Sequence, residues 1–95
     1  MGATPSASYT VILRIEYPNR TGSLGKVFTI IGETGGDVGA VDIVHQGERS
    51  IRDITVNARD SDHGQQVAEA IDALEDVQVL SSSDRTFLAH MWVAR

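Results

Sequence analysis

At Pro18 the apolar pattern of the chain changes its period. Before it, Val11, Leu13 and Ile15 alternate with Thr10, Ile12, Arg14 and Glu16, the pattern of a strand with one buried face. After it, Leu24, Val27, Phe28 and Ile31 recur at helical spacing, with Ile30 flanking. Tyr17–Val27 therefore reads as a strand-to-helix turn. Gly22 and Gly25 allow the backbone to bend sharply and another molecule to approach it. Ser23 is expected to cap the helix. The N–H groups after it would be unpaired and receptive to an anion such as a carboxylate. Arg20 adds a positive charge there, and Asn19 adds an amide that both donates and accepts. A capped helix start that binds nothing fits the same residues.

The rest of the chain continues the alternation of elements. Gly35-Gly36 is expected to stop the first helix. Val38 to His45 reads as a second strand, with Val41 and Ile43 on one face and Val38, Ala40, Asp42 and Val44 on the other. Gln46-Gly47-Glu48 carries turn chemistry. Ser50 to Ala58 reads as a third strand, with Ile54, Val56 and Ala58 inward and Asp53, Thr55 and Asn57 outward. Asp60-Ser61-Asp62 looks like a helix cap, and Val67, Ala68, Ile71 and Leu74 supply the helical stripe. Asp76 to Leu80 reads as a fourth strand and Ser81 to Asp84 as a loop. Thr86 to Val93 is apolar on both sides, as a fifth strand docked on a sheet edge would be.

The expected order is β-α-β-β-α-β, the ferredoxin-like α+β sandwich, with an extra C-terminal strand. Two helices would cover one face of an antiparallel sheet. The other face would carry Ile12, Val38, Ala40, Val44, Thr55 and Asn57, a mixed surface open to a partner or ligand. Residues 1–8 are expected to form a disordered tail, 9–83 the folded domain, and 84–95 a strand or linker toward a further domain.

With 95 residues the chain makes one small domain with a marginal core, which self-association would help. Its formal net charge of -5 argues against a nucleic-acid partner, since phosphate binding needs a basic face. Cysteine is absent, so no thiolate metal site, disulfide or cysteine nucleophile is available. No run has the length of a membrane span and no signal-peptide pattern is present, which predicts a cytoplasmic protein with no membrane partner.

Catalytic patterns are not found. His45, His63 and His90 have no metal-ligand spacing, so neither metal nor cofactor is expected. Asp42 and Asp53 are expected on neighbouring strands, as solvated carboxylates or as partners of Arg14 or Arg49. The nucleophile elbow Gly-x-Ser-x-Gly is missing. The glycines of Gly35–Gly39 lack the dinucleotide-binding order. Arg52-Asp53-Ile54-Thr55-Val56-Asn57 lacks the aromatics of an RNA-binding sheet.

Asn19-Arg20-Thr21-Gly22-Ser23-Leu24-Gly25-Lys26-Val27 resembles the signature of the ACT-domain family, and Gly35-Gly36-Asp37-Val38-Gly39-Ala40 resembles its second half. Thr21 stands where the family usually has proline. Asp37-Val38-Gly39-Ala40-Val41-Asp42, Arg52 to Asn57 and Asp84-Arg85-Thr86-Phe87 are similar to the ACT domain that precedes the catalytic part of some bacterial NAD-type malic enzymes.

The resemblance implies a regulatory module that senses a small molecule, an amino acid or carboxylate metabolite, and forms a homodimer or higher homo-oligomer. Asn19, Arg20, Thr21, Gly22, Ser23 and Leu24 would form one wall of the effector site. Asp37, Val38, Gly39 and Ala40 of the neighbouring chain would form the other, with Asp37 suited to an ammonium group. The chain by itself would not be an enzyme. A purely structural dimerisation module is the alternative. An acylphosphatase-like hydrolase is a further one, although Asn19-Arg20 does not reproduce that loop.

Overall fold

The computed structural model describes residues 9–84. The expected tail at 1–8 and fifth strand at 86–93 lie outside the described residues. The elements are β1 (Tyr9–Pro18), α1 (Ser23–Glu33), β2 (Asp37–His45), β3 (Arg49–Ala58), α2 (Ser61–Asp72) and β4 (Gln78–Asp84). The strands form one sheet in the order β2-β3-β1-β4, antiparallel at each pairing. This is the ferredoxin-like arrangement that the order of periods predicts.

The core forms because each element buries one stripe on a shared face. Val11, Leu13, Ile15 and Tyr17 come from β1, Ile54, Val56 and Ala58 from β3, Val27 and Ile31 from α1, and Val67 and Ile71 from α2. Each fully buried aliphatic chain contributes about 1.5–3 kcal/mol by leaving water. The central strands β1 and β3 pair without interruption from Tyr9 with Ala58 to Pro18 with Arg49.

The helix ends have local causes. Gly35 adopts φ +85, and the N–H groups of Gly35 and Gly36 bond to the carbonyls of Gly32 and Ile31 at 3.0 and 2.9 Å. These two bonds are the Schellman closure that a left-handed glycine permits. Asp60 caps α2, its carboxylate accepting the His63 N–H at 2.8 Å.

Three expectations are corrected. Ser23 is not the cap of α1: Gly22 holds that position at φ +88 without a side-chain bond, and Ser23 is the first helical residue, buried. Val38 does not lie on the open face. Val38 opposes Val56 while Val41 opposes Ile54, so β2 carries an extra residue there. That bulge returns Val38 to the helix side, and both valines pack against the core. Ile43 keeps the face of Val41 in the register but is 58% exposed on the edge strand. Ser81 to Asp84 is not a loop. It pairs with β1 from Arg14 back to Val11, after a bulge that sets Leu80 aside. An edge strand is held by its backbone ladder, so serines are tolerated where the outer side meets water.

Candidate functional site

The first loop is tied down by its backbone and leaves its side chains outward. The Asn19 N–H bonds to the carbonyl of Glu48 in the β2–β3 turn at 2.9 Å, and the Lys26 N–H closes on the Gly22 carbonyl at 3.1 Å. Asn19, Arg20, Thr21 and Gly22 are exposed, Ser23 is buried, and Leu24 packs against the core. A Cβ placed on Gly22 would meet nothing within 4 Å, so glycine is needed there for its left-handed backbone rather than for space. The N–H groups of Leu24 and Gly25 take no backbone carbonyl among the described residues. Such groups suit an anion.

Gly22 also borders a groove of about 430 Å³ that runs along α1 past Gly25, Lys26 and Ile30 to Leu74 at the end of α2. Lys26, Ile30 and Leu74 were missed as lining residues. The helical stripe assigns the two apolar ones to the core, and nothing in the sequence says that they also border an opening.

Arg20 is not an unengaged cation. Its Nη2 donates to the Asp76 carboxylate at 3.1 Å, an exposed pair between the first loop and the α2–β4 connection. Asp76 is far along the chain and carries no sequence signal for this role.

The second wall lies at the other end of α1. Asp37 accepts from Asn57 Nδ2 at 3.4 Å, and Asn57 Oδ1 accepts from the Thr10 hydroxyl at 3.0 Å. Gly39 and Ala40 sit exposed in the bulge, and Val38 points into the core. This wall is braced from behind by His63, which is 2% exposed. The Nδ1 of His63 accepts the Arg59 N–H at 3.0 Å and its Nε2 faces the Thr34 carbonyl at 2.6 Å. These partners assign the proton to Nε2 and make His63 a neutral strut between α2 and the end of α1.

The two walls do not meet within one chain. The 11 residues of α1 separate them by about 16 Å at 1.5 Å per residue.

On the open face of the sheet, Arg14 and Asp53 form an ion pair. Arg14 donates from Nε and Nη2 to the two carboxylate oxygens of Asp53 at 2.8 and 2.9 Å. Asp42 stands opposite Asp53 across β2 and β3. The hydrogen bond to Asp53, with its charge, raises the affinity of Arg14 for its proton. Among the described residues no group of three or more His, Cys, Asp or Glu could hold a metal ion. No helix among them is long and apolar enough to cross a membrane.

Residues 5–81 match the family model of the ACT domain. The chain belongs to the ACT-domain family. The matched segment includes both walls and all but the last three residues of β4. This ACT domain is 29% identical over 92 residues to an NAD-dependent malic enzyme of Geobacillus stearothermophilus, covering 96% of the chain and 19% of that enzyme. It is 40% identical over 80 residues to NAD-dependent malic enzyme 1 of Bacillus subtilis (strain 168), covering 82% of the chain and 18% of that enzyme. The chain thus spans about a fifth of the length of these curated relatives. Among solved structures, the ligand-free regulatory subunit of aspartate kinase from Thermus thermophilus superposes with a TM-score of 0.60 at 23% identity, over 90% of this chain and 55% of that one. That likeness is one of fold.

Proposed function

We propose that this ACT domain binds a small effector, an amino acid or carboxylate metabolite, between the first loop of one chain and the start of β2 of a second. On this reading it regulates an attached cytoplasmic enzyme of the malic enzyme type and has no catalysis of its own. The observation that carries the reading is the separation of the two walls by the length of α1. A two-fold axis beside α1 sets neighbouring helices antiparallel and brings the loop of one chain to the β2 start of the other. Edge strand β2, with Ile43 and Val44 exposed, favours such a neighbour. Gly22 and the outward side chains of Asn19 and Arg20 suit a carboxylate, and Asp37 suits an ammonium group.

Thermal melting against a panel of amino acids and dicarboxylates tests this. A ligand at one hundred times its Kd stabilises the native state by about 2.7 kcal/mol, so a true effector raises the melting temperature in proportion to its logarithmic concentration. A flat response across the panel would favour a purely structural dimerisation module.

A further inference from the structure

The α2–β4 connection holds an acid in an uncommon backbone state. Asp76 has φ +68 and is the non-glycine residue with positive φ among the described residues. An L-residue in this region carries a steric cost, lowest for Asp and Asn. Two arginines hold the residue there. Arg20 Nη2 binds its carboxylate at 3.1 Å, and Arg49 Nη2 binds its carbonyl at 2.8 Å. Arg49 also lies 3.6 Å from Glu16. Asp72 accepts the Val79 N–H at 2.9 Å and so pins the start of β4. Arg49, Asp72 and Asp76–Val79 line a cleft of about 570 Å³.

Arg20 is thus the first-loop cation and already holds a carboxylate of its own chain. We propose that Asp76 is an internal competitor for Arg20, which a carboxylate-bearing ligand must displace. Once displaced, the Asp76 side chain no longer ties its connection to the first loop, and the Arg49 bond to the Asp76 carbonyl remains. That connection leads into β4, so occupancy of the first loop is reported at the start of that strand. This deepens the proposed function and rests on the first loop being the ligand site.

The test titrates ¹⁵N-labelled protein with sodium acetate, the minimal carboxylate, replacing chloride at constant ionic strength. In the unaltered chain the amide signals of residues 20–25 and 75–78 move together along one binding curve. Asp76→Asn removes the charge and keeps a side chain that tolerates the left-handed region. It is expected to lower the acetate Kd at residues 20–25 by about two- to fivefold, the range an exposed ion pair allows. Glu75→Gln removes the same charge one residue away, without contact to Arg20 among the described residues, and is expected to leave the Kd unchanged. Equal Kd values for Asp76→Asn and the unaltered chain overturn the proposal, as does an equal gain from Glu75→Gln. Loop signals that titrate while 75–78 stay still also overturn it. Absence of any shift at 20–25 in all variants is a separate result, which overturns the first-loop site and the competitor with it.

Discussion

Two residues carry predictions that their own chemistry decides. Gly22 stands at φ +88 with open space where a Cβ would be. Gly22→Val therefore costs about 1–2 kcal/mol of backbone strain with no contact at Cβ, and the domain is expected to stay folded. Its branched side chain would stand where a ligand must approach the loop, so ligand-induced stabilisation in melting experiments is expected to vanish. Retained stabilisation would remove Gly22 from the site. Tyr9 begins β1, where burial first, and then the charge and hydrogen bond of Asp84, raise its pKa above the ordinary 10.0. The fold thus favours the neutral phenol. Its contribution to stability is complete below about pH 10 and is lost as pH rises through the raised native value. Absorbance titration of the tyrosines should find one ionising late, and Asp84→Asn should bring it back toward ordinary. An unmoved titration would mean that Asp84 does not act on Tyr9.

At the scale of elements, His63 and Gly35 fasten the second wall to α2. His63→Ala would remove the partner of the Thr34 carbonyl, worth about 1–3 kcal/mol if left unsatisfied. Gly35→Ala would force a left-handed alanine whose Cβ lies 3.3 Å from His63 Nε2. Both variants should unfold at lower denaturant concentration with an unchanged slope. A midpoint equal to that of the unaltered chain in either would contradict the strut. The element order was legible because period two and helical spacing follow directly from which face is buried, as Val11, Leu13 and Ile15 illustrate. The Asp60 cap and the Arg14–Asp53 pair were legible because both are set by short range or by register. The bulges in β2 and β4 were not. A bulge inserts a residue without a composition signal, so alternation alone places Val38 on the wrong face and leaves Ser81–Asp84 without a strand pattern. Serine usually caps a helix, which points to Ser23, whereas here Gly22 takes that position. The anion-receptive first loop was legible from its own residues, the candidate second wall only through the family resemblance, and Asp76 through nothing local.

At the scale of the whole molecule, the proposed site needs a second copy. A domain with a mass of 10.2 kDa, an exposed β2 edge and a site split between the ends of α1 is expected to sediment as a dimer at tens of micromolar. The most direct measurement is complementation between two damaged chains, using an effector found by melting. Gly22→Val spoils the first wall, and Asp37→Lys spoils the second by reversing its charge. Neither variant alone should bind. An equal mixture, unfolded and refolded together, should recover about a quarter of the unaltered binding capacity, because half the two-fold dimers are mixed and each holds one intact site. Recovery of that fraction is the predicted result. A mixture that stays silent, although native mass spectrometry finds mixed dimers, would contradict a site built across two chains.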